Sequence, residues 1–495
     1  MLIAKTLQLE NNMDNSNYIP GETRSVKLLY LLILVGLVGI LMALLSMNIP
    51  LFAVIITFPF ICTGGILILR YPQLMLFIIF TINYFILGIT RYIPIEGISI
   101  IMDILYVLTL ILIIIQSALY HNIEWKRCFH LLSAFSLLWA SYCILEIMNP
   151  SALLDGWILS RGLIINGLII TVITSLLCTK YKILKAILFT YSLFTVLAIL
   201  KTFMQKYVGF DTFETRWLNN GGATTHLIHS GIRYFSFFTD ASNMGSNMGG
   251  AGIVLGIASL YIRNRTLKIY YVIVAIVSLY TMMLSGTRGA IIVPLAGIAL
   301  YTVVSKQTRS IILGSISLAL VYVFFAFTMI GQSNSSIRRM RTAFKPSEDA
   351  SYIVRKENQR KLKEYLKYKP FGEGLGLSGD GLGVKLSKRF TTSIPTDSWY
   401  VKVWVETGII GLIIYMGMVL ITIGRGSWIL MFNIHDPELK GILTGWLCAI
   451  FGMFMSAYGN SFWGQFPTMV IAFMGMSFIL NGKYFDKELS NYTNL

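Results

Sequence analysis

The chain has 495 residues, of which 55% are hydrophobic and only 13% charged. Soluble domains carry about a quarter charged residues, so this composition excludes an ordinary soluble enzyme and indicates an integral membrane protein. The net charge of +17 then points to basic cytoplasmic loops, or to a site for an anionic substrate, ahead of nucleic acid.

Apolar runs recur along the chain, each long enough to cross about 30 Å of hydrocarbon. About fourteen stretches of roughly 20 residues meet that criterion: 28–47, 49–69, 72–90, 98–120, 128–147, 162–178, 183–200, 244–262, 269–285, 290–305, 311–330, 407–423, 441–458 and 462–480. The expected fold is an all-α polytopic integral membrane protein with about 12–14 transmembrane helices and one large, partly helical extracytoplasmic loop. Its parts are N-terminal spans in 1–200, an outer loop at 201–243, central spans in 244–330, the large loop at 331–400 and C-terminal spans in 401–495. The N-terminal stretch is polar and the first apolar run is long enough to span, so no cleavable signal peptide is expected. The cysteines Cys62, Cys128, Cys143, Cys178 and Cys448 lie in or beside apolar runs without a CxxC pair. They read as packed thiols rather than a disulfide framework or a metal site.

Charge gives the orientation. With the N-terminus inside, Lys126, Arg127, Lys180, Lys182, Arg263, Arg265, Lys268, Lys306, Arg309 and Arg425 fall on the cytoplasmic side, while the short outer loops hold mainly Arg91 and Arg161. This is the positive-inside pattern. The large loop, also basic, falls outside. Within it, 350–369 is rich in Lys, Glu, Gln and Leu and predicts a helix carrying Arg355 and Arg360. The following Lys369-Pro370-Phe371-Gly372-Glu373-Gly374-Leu375-Gly376 ends it in a loop.

Arg233 and Arg288 stand at the edges of apolar runs, where an arginine costs several kcal/mol unless it is paired or faces water. Each by itself can be a snorkelling side chain, or one neutralised by Asp240 or Glu146. Two on one face suggest a phosphate clamp, since a guanidinium binds phosphate with two prongs and keeps its charge. Gly245, Ser246, Gly249, Gly250 and Gly252 would let helices or a lipid approach closely. Asp397 and Glu406 are the carboxylate candidates, about 13 Å apart if helical. Asp397 suits a helix cap as well as a general base. His226 and His229 are three apart, but without a nearby carboxylate they read as solvated loop histidines. No Walker loop, HExxH, Gly-x-Ser-x-Gly or DxD-like acidic pair is present, which argues against a nucleotide-dependent enzyme.

Several of these stretches occur together and in order: Arg233 to Gly245, Ser285-Gly286-Thr287-Arg288-Gly289-Ala290, Arg355 with Lys369 to Gly376, and Asp397-Ser398-x-Tyr400-Val401-x-x-Trp404-x-Glu406-x-Gly408. Over about 225–423 the chain resembles the O-antigen ligase and polymerase family of bacterial membrane glycosyltransferases. The ligases usually carry histidine where this chain has Asp397, a residue whose ordinary pKa near 4 makes it a weaker base. That difference favours the polymerase branch.

The resemblance implies an inverting transfer that needs no metal, nucleotide or cofactor. It would run at the outer face of the bacterial inner membrane, from a glycan on polyprenyl (undecaprenyl) diphosphate. Arg233 and Arg288 would hold the diphosphate, Asp397 or else Glu406 would take the acceptor's proton, and Arg355, Arg360, Arg161, Asn243 and Tyr400 would bind substrate. The lipid would lie near 244–256. Implied partners are the lipid-linked donor, a glycan or lipid acceptor, membrane lipid and a chain-length regulator, with no nucleic acid. The alternatives are a ligase acting on lipid A or a protein and, from another class, a lipid-linked glycan transporter or flippase.

Overall fold

The computed structural model describes residues 63–93, 97–228, 231–344 and 350–493. The expected span at 28–47, most of that at 49–69, Cys62 and His229 lie outside them. Met1–Pro72 forms one unit, whose described part is the helix Thr63–Arg70, and Gln73–Leu495 forms the other.

The second unit is a helical membrane protein. Its longer helices are α1 (Leu74–Ile89), α2 (Ile100–Tyr120), α3 (Leu131–Leu145), α4 (Arg161–Leu177), α5 (Tyr181–Tyr207), α6 (Ala241–Tyr261), α7 (Arg265–Leu284), α8 (Ile292–Val304), α9 (Thr308–Phe327), α10 (Ala350–Leu366), α11 (Trp399–Phe432), α12 (Pro437–Ser456) and α13 (Thr468–Leu480). Among the described residues, eight helical stretches are by themselves long and apolar enough to cross a membrane. The long apolar runs dictate this, because a segment in hydrocarbon must satisfy its backbone internally.

The centre is α6, which packs against α7, α8 and α12. It is buried around nearly its whole circumference, although Asn247, Ser246 and its glycines make it less apolar than its neighbours. Those small residues serve helix packing. A side chain at Gly245 would overlap Ser285 Oγ, and one at Gly249 would sit 3.0 Å from Met282 Sδ. The expectation of lipid along 244–256 is therefore corrected: protein side chains fill that stripe.

Several boundaries differ from expectation, among them the end of α5, at Tyr207 rather than 200. α11 starts at Trp399 rather than 407 and runs 34 residues to Phe432, while the apolar run from 462 yields a helix only from Thr468. The apolar run that defines the span begins only at 407, because Asp397 to Glu406 mixes polar and aromatic residues with aliphatic ones. The structure lengthens the helix by kinking it at Gly408, which takes φ +67°.

That kink receives the glycine-rich segment. Glu373 N donates to Val405 O at 2.8 Å and Gly374 N donates to Glu406 O at 3.1 Å. Tyr142 Oη donates to Thr407 O at 2.7 Å. Helical carbonyls freed by the kink thus find donors in the glycine-rich loop and in a side chain of α3. α10 then lies on α11 through Leu362, Leu366, Ile394, Val401 and Val405. The Ser335–Arg341 helix is anchored by Met340 against Ile291 and Phe325.

Gly408 has both a left-handed φ and a Cβ position that would overlap the Pro370 carbonyl. Gly408→Ala should therefore destabilise the protein by about 1–3 kcal/mol from backbone strain, with the overlap adding to it. Thermal unfolding of the purified protein in detergent measures this, and an unchanged midpoint would contradict the role assigned to the kink.

Candidate functional site

The connections 208–240, 285–291, 328–398 and 457–467 follow alternate helices, so all four lie at one end of the bundle. Between them is a cavity of about 570 Å³ lined by Arg233, Arg288, Arg339, Arg355, Asp240, Asp380 and Asp397, with His226, Thr287, Asn460 and Gln465 among the remaining walls.

Arg233 is set by a short antiparallel hairpin, Leu227–Ile228 with Gly231–Ile232. Its own N–H donates to His226 O at 2.9 Å. The guanidinium donates to Thr225 O and Thr287 Oγ1, both at 2.9 Å, so these partners are uncharged oxygens. Burial pulls Arg233 below its ordinary pKa; Asp240 opposes this, and Arg288 and Arg355 add to it. A guanidinium stays charged under such a shift, so the wall concentrates positive charge that an anion would relieve.

Arg288 follows a tight turn. Ser285 Oγ donates to Met282 O at 2.7 Å and accepts from Thr287 N at 3.1 Å. Gly286 between them takes φ +57° and fits between the stems of Arg233 and Arg339, where a Cβ would lie 3.2 Å from Arg233 Cγ. The Ser-Gly-Thr-Arg order thus packs two arginine stems against one glycine and presents a third arginine.

Arg355 donates to Asp397 Oδ2 at 3.4 Å. Asp397 does not cap α11; Ser398 occupies that position and makes no side-chain cap bond. Asp240 does cap α6, its Oδ1 accepting from Ser242 N and Asn243 N. Upstream, Arg91 is buried, donates to Ser236 O and Thr239 O at 2.9 and 3.0 Å, and faces the Trp217 and Phe235 rings. This pins the strand leading to Asp240.

His226 is buried rather than solvated, which corrects the sequence expectation. Desolvation pushes it down to about 4. The neutral ring then donates from Nδ1 to Gly222 O at 2.9 Å and accepts at Nε2 from Ala241 N at 3.3 Å.

Other candidates lie elsewhere. Asn243 is buried and fully engaged: it donates to Phe466 O at 2.8 Å and accepts from Thr468 Oγ1 at 2.9 Å. It holds the 457–467 connection instead of facing the cavity. Tyr400 donates to Phe454 O, and Arg360 pairs with Glu357 at 2.9 Å; both face a separate, mostly apolar groove of about 540 Å³ between α10 and α11. Arg161 is paired with Asp103 at 2.6 Å, and Glu406 accepts from Ser378 Oγ at 2.6 Å. Both line a neighbouring cavity of about 410 Å³ that shares Asp380, Ser461 and Gln465 with the arginine cavity. Glu406 is therefore not grouped with the arginines. A further cavity of about 410 Å³ shares Arg288 and Arg355 and continues along Ile291, Ile292, Leu295, Phe344 and Tyr352.

Sequence reasoning missed Arg339, Asp380, Asn460 and Gln465. A signal existed for Arg339: Asn334 precedes Ser-Ser-Ile-Arg-Arg-Met-Arg and caps that helix, which fixes the arginines on one short element. Its neighbour Arg341 has a structural task, donating to Ile330 O at 2.6 Å. Asn460 and Gln465 sit in a connection with no pattern of its own.

The half-exposed Arg355–Asp397 pair should contribute little to folding, so Asp397→Asn should shift stability by less than about 1 kcal/mol. Glu373 is different: its buried carboxylate takes Lys369 at 2.6 Å and Arg389 at 3.1 Å. Glu373→Gln should lose about 2–3 kcal/mol by weakening both bonds. Thermal unfolding of the two variants side by side checks the contrast.

Part of the chain matches a known family. Residues 273–416 match the family model described as O-antigen ligase. The match runs from within α7 to within α11 and includes the Arg288 turn, Arg339, α10, the glycine-rich segment, Asp397 and the Gly408 kink; Arg233 lies before it. No curated protein matches the chain. Members of the matched family are membrane enzymes of O-antigen ligation or polymerisation. The match supports assigning the segment 273–416 to the O-antigen ligase/polymerase family.

Proposed function

We propose that the protein is an inverting, metal-independent polymerase of polyprenyl-diphosphate-linked oligosaccharide repeats, working at the outer face of the bacterial inner membrane. The observation that carries this reading is the gathering of Arg233, Arg288, Arg339 and Arg355 with Asp397 around one cavity. Guanidinium groups suit a diphosphate through charge and paired donors. They would stabilise the negative charge that grows on it as it leaves.

In the proposed reaction an acceptor hydroxyl attacks the anomeric carbon from the side opposite the diphosphate. The new C–O bond forms as the bond from that carbon to the phosphate oxygen breaks. The lipid diphosphate departs with the electron pair, and the hydroxyl proton passes to Asp397. Arg355 keeps the carboxylate turned toward the cavity. Asp397 is preferred to Glu406 because it shares the arginine cavity and Glu406 does not. The apolar continuation along Ile291, Ile292, Leu295 and Phe344 suits the hydrocarbon of the donor, replacing the 244–256 position. Aspartate at 397, where the ligases usually carry histidine, favours polymerisation over ligation. The positive-inside pattern supports the outward orientation of the site.

Purified protein in detergent, supplied with lipid-linked oligosaccharide alone, should lengthen the glycan, and should continue to do so in EDTA. Arg288→Ala should lower the rate by about 10²–10³-fold, and Asp397→Asn by about 10²–10⁴-fold. In cells, loss of the protein should leave a single repeat on the acceptor; a bare acceptor would indicate a ligase. Normal polymer length and yield from Arg288→Ala at matched expression would overturn the clamp.

A further inference from the structure

The cavity beside the arginines is not used by the reaction as written, yet it is built from polar groups. Two of the residues lining it carry a buried acceptor with no hydrogen-bond partner among the described residues: Glu406 Oε2 and Asn166 Oδ1. Glu406 is 0% exposed and Asn166 3%. A buried carboxylate oxygen or amide oxygen left without a donor costs about 1–3 kcal/mol; the Gly376 backbone lies beside the Glu406 carboxylate, so Asn166 Oδ1 has the greater need of a hydroxyl or N–H donor.

The cavity's charges already have partners. Arg161 meets Asp103 at 2.6 Å, and Lys402 lies between Asp380 and Glu406, 3.8 Å from the latter. With three carboxylates against two cations on its walls, this cavity disfavours phosphate and contrasts with its arginine-rich neighbour. The buried indole of Trp399 and the apolar side chains of Leu382 and Met469 complete it. Its volume of about 410 Å³ is that of a small-ligand site, where a few placed polar groups among apolar ones fix orientation.

We infer that this cavity is a saccharide subsite. It takes uncharged, hydroxyl-rich sugar rings, with Asn166 and Glu406 accepting hydrogen bonds from their hydroxyls and Trp399 facing an apolar ring side. The inference rests on the proposed glycosyl transfer and deepens it. The shared wall of Asp380, Ser461 and Gln465 makes the subsite continuous with the space proposed for the diphosphate, so a glycan chain can lie across both. Glu406 is then a binding residue, and Lys402 a positioning residue that holds its carboxylate.

The test is equilibrium binding to the full-length protein in nanodiscs, with two probes: the repeat oligosaccharide released from its lipid without phosphate, and inorganic pyrophosphate. The released glycan should bind the native protein. Asn166→Leu, which removes one acceptor, and Met469→Trp, which fills the cavity from its apolar wall, should each weaken glycan binding at least about tenfold, that is by 1.4 kcal/mol or more. Both should retain pyrophosphate binding, which also shows that they are folded. Arg288→Ala should do the reverse. If the glycan binds both cavity variants as tightly as the native protein, if the native protein binds none, or if only Arg288→Ala removes it, the subsite is overturned. Loss of pyrophosphate dependence on the arginines with the glycan pattern intact would instead overturn the diphosphate clamp alone. A glycosyl diphosphate that binds more tightly than the free glycan, with the gain lost in Arg288→Ala, would identify the donor's sugars as the occupant. Independent binding of the two probes without such a gain would identify the acceptor's.

Discussion

A contact between two pieces of backbone holds the large polar segment to the membrane bundle. At Gly408 the helix α11 turns through a left-handed residue, and the carbonyls of Val405 and Glu406, released from the helical ladder, accept the N–H groups of Glu373 and Gly374. Only a residue without Cβ can stand there, because the Pro370 carbonyl occupies the space. Everything upstream and downstream inherits this docking. α10 is brought down onto α11 with Arg355 on its cavity side, the Asp380 turn is set against Lys402, and Asp397 is left at the mouth of the helix.

Charge is then sorted into two adjacent spaces of opposite character. One carries four arginines and three aspartates; the other holds two cations already matched to carboxylates. Lys402 marks the divide, since it pairs with Asp380, which faces both spaces, and with Glu406, which faces only the second. Two carboxylates nine positions apart, Asp397 just before α11 and Glu406 within it, thereby acquire different surroundings. Asp397 is exposed beside an arginine at the cavity's rim, whereas Glu406 is buried. In a medium of low dielectric such separation matters, because an uncompensated buried charge is costly and each group must find its partner locally.

The glycine-rich helix α6 illustrates how a motif with two meanings is resolved. Small residues in an apolar helix permit close approach by anything, lipid or protein. Here α7, α8 and α12 take up that room, and the helix becomes the rigid post on which Asp240 and the cavity floor are fixed. Precise placement of four long arginine side chains demands such a support, since each has many rotamers to lose on being ordered. Hydrogen bonds from Arg233 to Thr225 and Thr287, and the glycine between the arginine stems, do that ordering.

Reading the residues alone is enough for the membrane class, most helix positions, the polar helix carrying Arg355, and the order of motifs behind the family resemblance. These depend on local quantities: hydropathy over 20 or so residues, helix propensity, and short patterns of glycine, proline and charge. The long reach of α11 to Trp399, the burial of His226, the closure of Asn243 into a structural network and the parting of Glu406 from Asp397 were decided by tertiary packing. Each depends on a partner far away in the chain, such as Pro370 for Gly408 or Phe466 for Asn243, and no local pattern encodes which distant backbone atom will arrive. Arg339 joins the other arginines for the same reason: its helix is held by Met340 against Ile291 and Phe325, an apolar contact whose direction exists only once the bundle has formed.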